Sequence, residues 1–121
     1  TLTTADAEET RALGRRCGCR IGVIIIDSFG RAWRKGTVGH AIGVAGLRAL
    51  LDLRQSPDLL GRPMQVTEVG LADEIAAGAS ALMGQGAEAK PVVIVRGFSG
   101  LRDAAGTVRT LLRPRDQDLF R

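Results

Sequence analysis

The chain alternates between blocks of apolar and polar residues, and each block predicts an element. Its first 18 residues read as a helix, centred on 5–16. Thr3 and Thr4 offer caps, Asp6, Glu8 and Glu9 put negative charge in the first turn, and Arg11, Arg15 and Arg16 fall near the other end, each with the sign the helix dipole favours. Gly18 ends it. The continuous apolar run Ile21–Ile26 predicts a fully buried strand, halted by a polar loop from Asp27 to Gly36. Ala41–Ala45 reads as a second, glycine-softened strand. Residues 47–61 permit a short helix around Leu50, Leu51 and Leu53, broken by Pro57 and Gly61, and Met64–Val69 fits a third strand. Leu71, Ile75, Ala79 and Leu82 then recur at helical spacing, so a helix is expected over 70–83, with Asp73 and Glu74 in its first turn and Gly84 as its stop. After the connector Gln85–Lys90, Val92–Val95 is a further all-apolar strand, and the polar tail ends in two apolar anchors, Leu119 and Phe120. These elements predict an α+β fold: a mixed sheet with Ile21–Ile26 and Val92–Val95 as central strands and flanking helices. The 121 residues suit a single domain.

Composition refines this picture. Only 3% of residues are aromatic and there is no tyrosine, so the core must be aliphatic, built from Ile, Val, Leu and Ala. The 16 glycines are roughly twice the usual share of about 7%. The net charge of +4 is mild, and its arginines are spread along the chain with few aromatics to stack bases. That argues against nucleic acid and for a small phosphate-bearing ligand. Cys17 and Cys19, with the lone His40, do not make the paired spacing of a zinc site and read as reduced cysteines. No apolar run approaches the length of a membrane span and no signal peptide is visible, so the expected location is the cytoplasm.

The strongest constellation of reactive side chains lies in Asp27–Gly36. A carboxylate at the end of a buried strand opens onto a crevice, and Asp27 followed by Ser28 offers two hard oxygens suited to Mg²⁺ or Mn²⁺. Arg31, Arg34 and Lys35 follow, with charge to neutralise phosphate or substrate oxygens. The alternative is a turn capped by Asp27 and Ser28 with solvated cations beside it. The segment Met83-Gly84-Gln85-Gly86-Ala87-Glu88-Ala89-Lys90 lets backbone N–H groups approach a ligand and supplies Gln85 or Glu88 to a metal. It lacks the spacing and ending of a Walker A loop, and read from its residues alone it is a flexible helix-to-strand connector before it is a ligand loop. Glu68, Asp73 and Glu74 form an acidic cluster accounted for by helix-dipole charges, and His40 reads as structural or as a general base.

Taken in order, Asp27-Ser-Phe-Gly-Arg-Ala-Trp-Arg-Lys-Gly36, Ala41-Ile-Gly-Val-Ala-Gly46, Val66-Thr-Glu-Val-Gly-Leu-Ala-Asp-Glu-Ile75, Leu82-Met-Gly-Gln85, Pro91-Val-Val-Ile-Val-Arg-Gly97 and Asp118-Leu-Phe-Arg121 resemble the coenzyme F-420 γ-glutamyl ligases. The likeness runs from about Ile21 to the end of the chain. It implies a ligase that joins L-glutamate to a deazaflavin coenzyme precursor. GTP phosphorylates the precursor's terminal carboxylate, and the glutamate amine attacks the acyl phosphate. It implies Mg²⁺ or Mn²⁺ on Asp27, Ser28 and Gln85, GTP along Met83–Lys90, K⁺ as a further cation, and a homodimer. In this chain Gly39, with His40 beside it, stands where that family commonly carries an acidic residue. The resemblance also implies an N-terminal portion of comparable length, with a further metal-binding Asp, that has no counterpart here, and in some relatives a flavin-binding domain beyond. The expectation is therefore the C-terminal part of a ligase region, inactive alone. A catalytically inactive homologue or a dimerising binding module of the same fold is the alternative.

Overall fold

The computed structural model describes residues 4–98 and 101–118. The proposed cap Thr3 and the terminal Leu119–Arg121 lie outside the described residues. The fold is α+β, with helices packed on small antiparallel sheets. Helix α1 spans Thr4–Arg16, and strands β1, Val23–Arg31, and β2, Arg34–Ala45, form a long hairpin. The short strands β3, Leu51–Asp52, and β4, Glu68–Val69, pair with each other, and helix α2, Leu71–Met83, follows directly. Two 3₁₀ turns at Val108–Leu111 and Arg115–Gln117 complete the described chain.

Both helices pack chiefly on β2. The core there is Ala41, Val44, Ala49, Ala72 and Ala76, flanked by the partly buried Ile24, Ile26, Leu47, Val108 and Leu111. Val44 is the largest side chain that is fully buried. The aliphatic core expected from composition is present, dominated by alanine. Small side chains allow helix and strand backbones to approach closely, and that closeness shapes the site described below.

Five expectations change. Residues 27–36 are not a loop: the ladder continues through Asp27↔His40, Ser28↔Gly39, Phe29↔Val38 and Gly30↔Thr37 to a tight turn at Ala32–Trp33. A hairpin that projects from the core buries neither face at its tip, so its polar sequence imitates a loop. Ile24–Ile26 are only partly buried, and Ile21 precedes the strand, 42% exposed. A strand in a two-stranded sheet has a single lateral neighbour and cannot be enclosed as a central strand is. Val92–Val95 belongs to no strand, and Val92 and Ile94 are exposed. Strand formation needs an edge to pair with, and among the described residues no strand pairs with this segment. Residues 47–61 hold no helix, because Asp58 accepts hydrogen bonds from the backbone N–H groups of Leu60 and Arg62 and closes a turn there. Of Met64–Val69, only Glu68–Val69 pairs.

The β3–β4 junction carries a charge network. Arg54 Nη2 lies 2.6 Å from Asp52 Oδ2 and 3.3 Å from Glu68 Oε1. Hydrogen bonds from the Arg54 side chain and backbone hold the Asp52 carboxyl down at about 2, from an ordinary 3.8. A carboxyl depressed by folding contributes stability above its unfolded value and loses it as pH falls through the folded one. The contribution of Asp52 is thus complete above 3.8 and gone below about 2. Carboxyl-resolved NMR titration is expected to show that low midpoint, and Arg54→Ala to return it toward 3.8.

Candidate functional site

The site forms where the middle of the hairpin meets the C-terminal half of α2. Gly39 on β2 faces α2 so closely that a Cβ built on it would lie 2.5 Å from Ser80 Cβ and 2.7 Å from the Ala76 carbonyl oxygen. The missing side chain lets Ser80, only 8% exposed, sit against the strand. An acidic residue, which the sequence resemblance led one to expect at position 39, has no room in this packing.

Helix α2 ends as expected. Gly84 adopts a φ of +79°, a left-handed value that favours glycine, and its N–H donates to the Ser80 carbonyl. That stop places Gln85 back over the helix end. Its Nε2 donates to Ser80 Oγ at 2.9 Å, and its Oε1 accepts from Ser28 Oγ at 2.9 Å. Ser28 and Gln85 are separated by 57 positions in sequence, so tertiary packing alone joins them. Because Ser80 takes the amide nitrogen, the amide oxygen is presented toward the hairpin. A cleft of about 310 Å³ opens beside these groups, lined by Thr37, Val38, Gly39, Ala77, Ser80 and Gln85.

Asp27 lies next to Ser28 on β1, exposed, and its Oδ1 accepts the backbone N–H of Ser28 at 2.7 Å. Beyond Gln85, Glu88 Oε2 accepts the N–H of Gly86 at 2.7 Å, so a carboxylate of the loop's own occupies one of the donors thought free for a ligand. Met83 is the last residue of α2, and Ala87, Ala89 and Lys90 continue the segment, with Ala89 at a positive φ of 51°. Arg34 and Lys35 are exposed near the hairpin tip. Arg31 is partly buried, and its Nη1 has no hydrogen-bond partner among the described residues.

The structure disperses the acidic cluster. Glu68 pairs with Arg54, while Asp73 reaches across to accept the Ala41 N–H at 2.9 Å. His40 is a strand residue: its Nδ1 lies 2.8 Å from the Val38 carbonyl, which can only accept, and its ring stacks on Phe29 with centroids 3.9 Å apart. Cys17 and Cys19 are exposed free thiols. Sequence reasoning missed Ser80. The signal was present, a lone hydroxyl among the alanines of α2, but only packing shows that it orients Gln85. Among the described residues no group of three or more His, Cys, Asp or Glu side chains is assembled to hold a metal, so any cation here would depend on hydroxyl and amide oxygens beside Asp27.

Fold and site together define an α+β domain with a cleft built by a β-hairpin against a helix end, into which Thr37, Ser80 and Gln85 bring polar groups. The family of which it is an example follows from comparison with known proteins. Residues 5–97 match the family described as "F420-0:Gamma-glutamyl ligase", and the chain belongs to that family. It is 50% identical over 117 residues to a "Coenzyme F420:L-glutamate ligase" of Methanocaldococcus jannaschii, covering 96% of this chain and 47% of that protein. A protein of the same name from Methanococcus maripaludis is 47% identical over 117 residues, with 96% and 47% covered. One from Archaeoglobus fulgidus is 43% identical over 104 residues, with 86% and 41% covered. The chain thus spans about half the length of these curated relatives. Among the described residues no helix is long and apolar enough to cross a membrane.

Proposed function

We propose that this chain is the metal- and nucleotide-binding part of a GTP-dependent ligase that adds L-glutamate to the coenzyme F-420 precursor through an acyl phosphate. The observation that carries this reading is the hydrogen-bonded relay Ser28–Gln85–Ser80, which joins the two segments whose motifs mark the family. The names of the relatives, each a coenzyme F-420:L-glutamate ligase, support the reaction class.

The donor set fits a hard divalent cation. Asp27 supplies a carboxylate, Ser28 a hydroxyl and Gln85 an amide oxygen, and Mg²⁺ or Mn²⁺ held by one carboxylate keeps most of its positions for water and phosphate oxygens. When bound, the cation would offset charge on the GTP phosphates. In the reaction, a precursor carboxylate oxygen attacks the γ-phosphorus, the bond to the β–γ bridging oxygen breaks, and GDP leaves. The glutamate nitrogen then attacks the acyl carbon and loses a proton, and the C–O bond to phosphate breaks with its electron pair. Little covalent work falls to the protein, so its contribution is positioning and charge. Ser80 orients the Gln85 amide, Arg31, Arg34 and Lys35 neutralise phosphate or carboxylate oxygens, and the backbone from Met83 to Lys90 borders the nucleotide. K⁺, a homodimer and a cytoplasmic setting complete the proposal. An inactive homologue of the same fold is the competing reading, to which the crowding at Gly39 lends nothing, since it accounts for that residue by packing.

The test is GTP titration in the presence of Mn²⁺. Asp27→Asn keeps shape and removes charge, and is expected to weaken Mn²⁺-dependent GTP binding by at least about tenfold, roughly 1.4 kcal/mol. Equal binding by both proteins would take Asp27 out of the site. GTP-dependent glutamate addition to the deazaflavin precursor, followed by mass, separates an active ligase from an inactive homologue.

A further inference from the structure

One end of the hairpin is built against the usual economy of a soluble surface. Trp33, the only tryptophan of the chain, is 90% exposed and sits in the turn with a φ of 57°. A bulky residue in that left-handed region is a rare backbone choice, which glycine or asparagine would normally fill. Four residues before it, Phe29 is 47% exposed although one face of its ring is covered by His40, nearly parallel at 13°. The His40 ring is itself pinned by its Nδ1 bond to the Val38 carbonyl, so this aromatic pair is held rigidly on the ladder. Three cations, Arg31, Arg34 and Lys35, lie between and beside these rings, and the Nη1 of Arg31 is buried without a hydrogen-bond partner among the described residues. A guanidinium nitrogen removed from water and left without an acceptor is a donor that an anionic group would satisfy.

We infer that the hairpin tip is the subsite for the substrate's ring. The open face of Phe29, together with Trp33, stacks on a planar heteroaromatic ring, and Arg31 with Arg34 and Lys35 takes its anionic tail. The complementarity is specific: exposed flat rings provide stacking that tolerates any extended π-face, and adjacent cations select an anionic substituent. Asp27 precedes Phe29 by two residues on the same strand, and side chains two apart share a face of a ladder. A ring on Phe29 therefore shares the Asp27 face of the hairpin and lies between Asp27 and the cations of the tip. This assignment rests on the ligase reading and adds to it the place of the deazaflavin precursor, with His40 as a positioning residue that backs Phe29.

The test uses the protein that carries this chain in full, the deazaflavin coenzyme precursor as probe, and two signals. The probe's own fluorescence reports whether it binds at all, and the emission of Trp33, defined by subtraction of Trp33→Phe, reports where. Saturable quenching of Trp33 emission is expected. Phe29→Leu, which keeps an apolar side chain on the strand, should weaken precursor binding about tenfold while leaving GTP binding within twofold. His40→Ala should weaken it less, and His40→Phe should restore it. If the precursor binds by its own fluorescence but leaves Trp33 emission and the affinity of Phe29→Leu unchanged, the subsite is wrong and the ligase reading stands. If it does not bind with or without GTP and Mn²⁺, both fail. Change in Trp33 emission with protein concentration alone, or with anionic phosphatidylglycerol vesicles and not with the precursor, would instead assign the tip to a second copy or to a lipid surface and overturn the proposal.

Discussion

Gly39→Ala is expected to destabilise the protein by about 3 kcal/mol, lowering the thermal midpoint by roughly 10 °C. The added Cβ would lie 2.5 Å from Ser80 Cβ, 3.0 Å from Ser80 Oγ and 2.7 Å from the backbone oxygen of Ala76. The first two belong to a short side chain packed at 8% exposure, and the third to the helix backbone, so none can swing aside as a long flexible side chain would. Helix and strand must separate, which opens the alanine core at Ala41, Ala72 and Ala76. Differential scanning calorimetry measures the effect. Ser80→Gly removes two of the three obstructions and leaves the Ala76 carbonyl, so in that background Gly39→Ala should cost only about half as much, a coupling a double-mutant cycle reads directly. Additive losses would mean that the strand and helix do not touch here. The same substitution displaces Ser80 from Gln85, so Mn²⁺-dependent GTP binding should fall even below the unfolding temperature.

Asp73→Ala is expected to cost about 2–3 kcal/mol, of which charge at the helix start is the minor part at roughly 0.5. The register of the hairpin shifts between Ile25 and Ile26, so that Ile25 pairs with Gly43 and Ile26 with Ala41, leaving Ile42 as an extra residue. Just past that bulge, the N–H of Ala41 turns to α2 and donates to Asp73 Oδ1 at 2.9 Å. Ala41 is only 8% exposed, so losing the carboxylate strands a buried amide donor with no replacement acceptor. Asp73→Asn keeps an acceptor oxygen and should cost about 1 kcal/mol or less, and urea unfolding of the two variants separates hydrogen bond from charge. If both variants lose the same amount, the carboxylate acts through charge alone and the strand-to-helix bond is unimportant. Amide hydrogen exchange at Ala41 offers an independent readout, since it should accelerate in Asp73→Ala well beyond its neighbours.

The same two contacts mark the limit of what the linear pattern shows. Helix α2 was legible to its ends, because Leu71, Ile75, Ala79 and Leu82 repeat at helical spacing and Gly84 can take the left-handed stop. Helix α1 was legible from its charge polarity. The hairpin was not, because residues 27–36 project beyond the core and alternation there carries no burial signal. Val92–Val95 failed in the opposite sense: its apolarity is real, but apolarity alone cannot supply the neighbouring edge that a ladder requires. Of the candidate site, the motif containing Asp27 and Ser28 and the loop containing Gln85 stood out by residue type, whereas the acidic cluster around Glu68 and Asp73 dissolved into an ion pair and a strand clamp.

What the sequence by itself determined is the family, the two helices, an aliphatic core and the candidacy of Asp27, Ser28 and Gln85. These depend on local periodicity, on residue type and on ordered motifs, all of which are properties of the chain read in one dimension. Only the tertiary structure decided that Ser28 and Gln85 meet, that Ser80 turns the Gln85 amide, and that Gly39 is a glycine because a helix lies against it. Those facts are distances between residues far apart in the chain, and they exist only once hydrophobic burial has brought β2 and α2 within contact of each other.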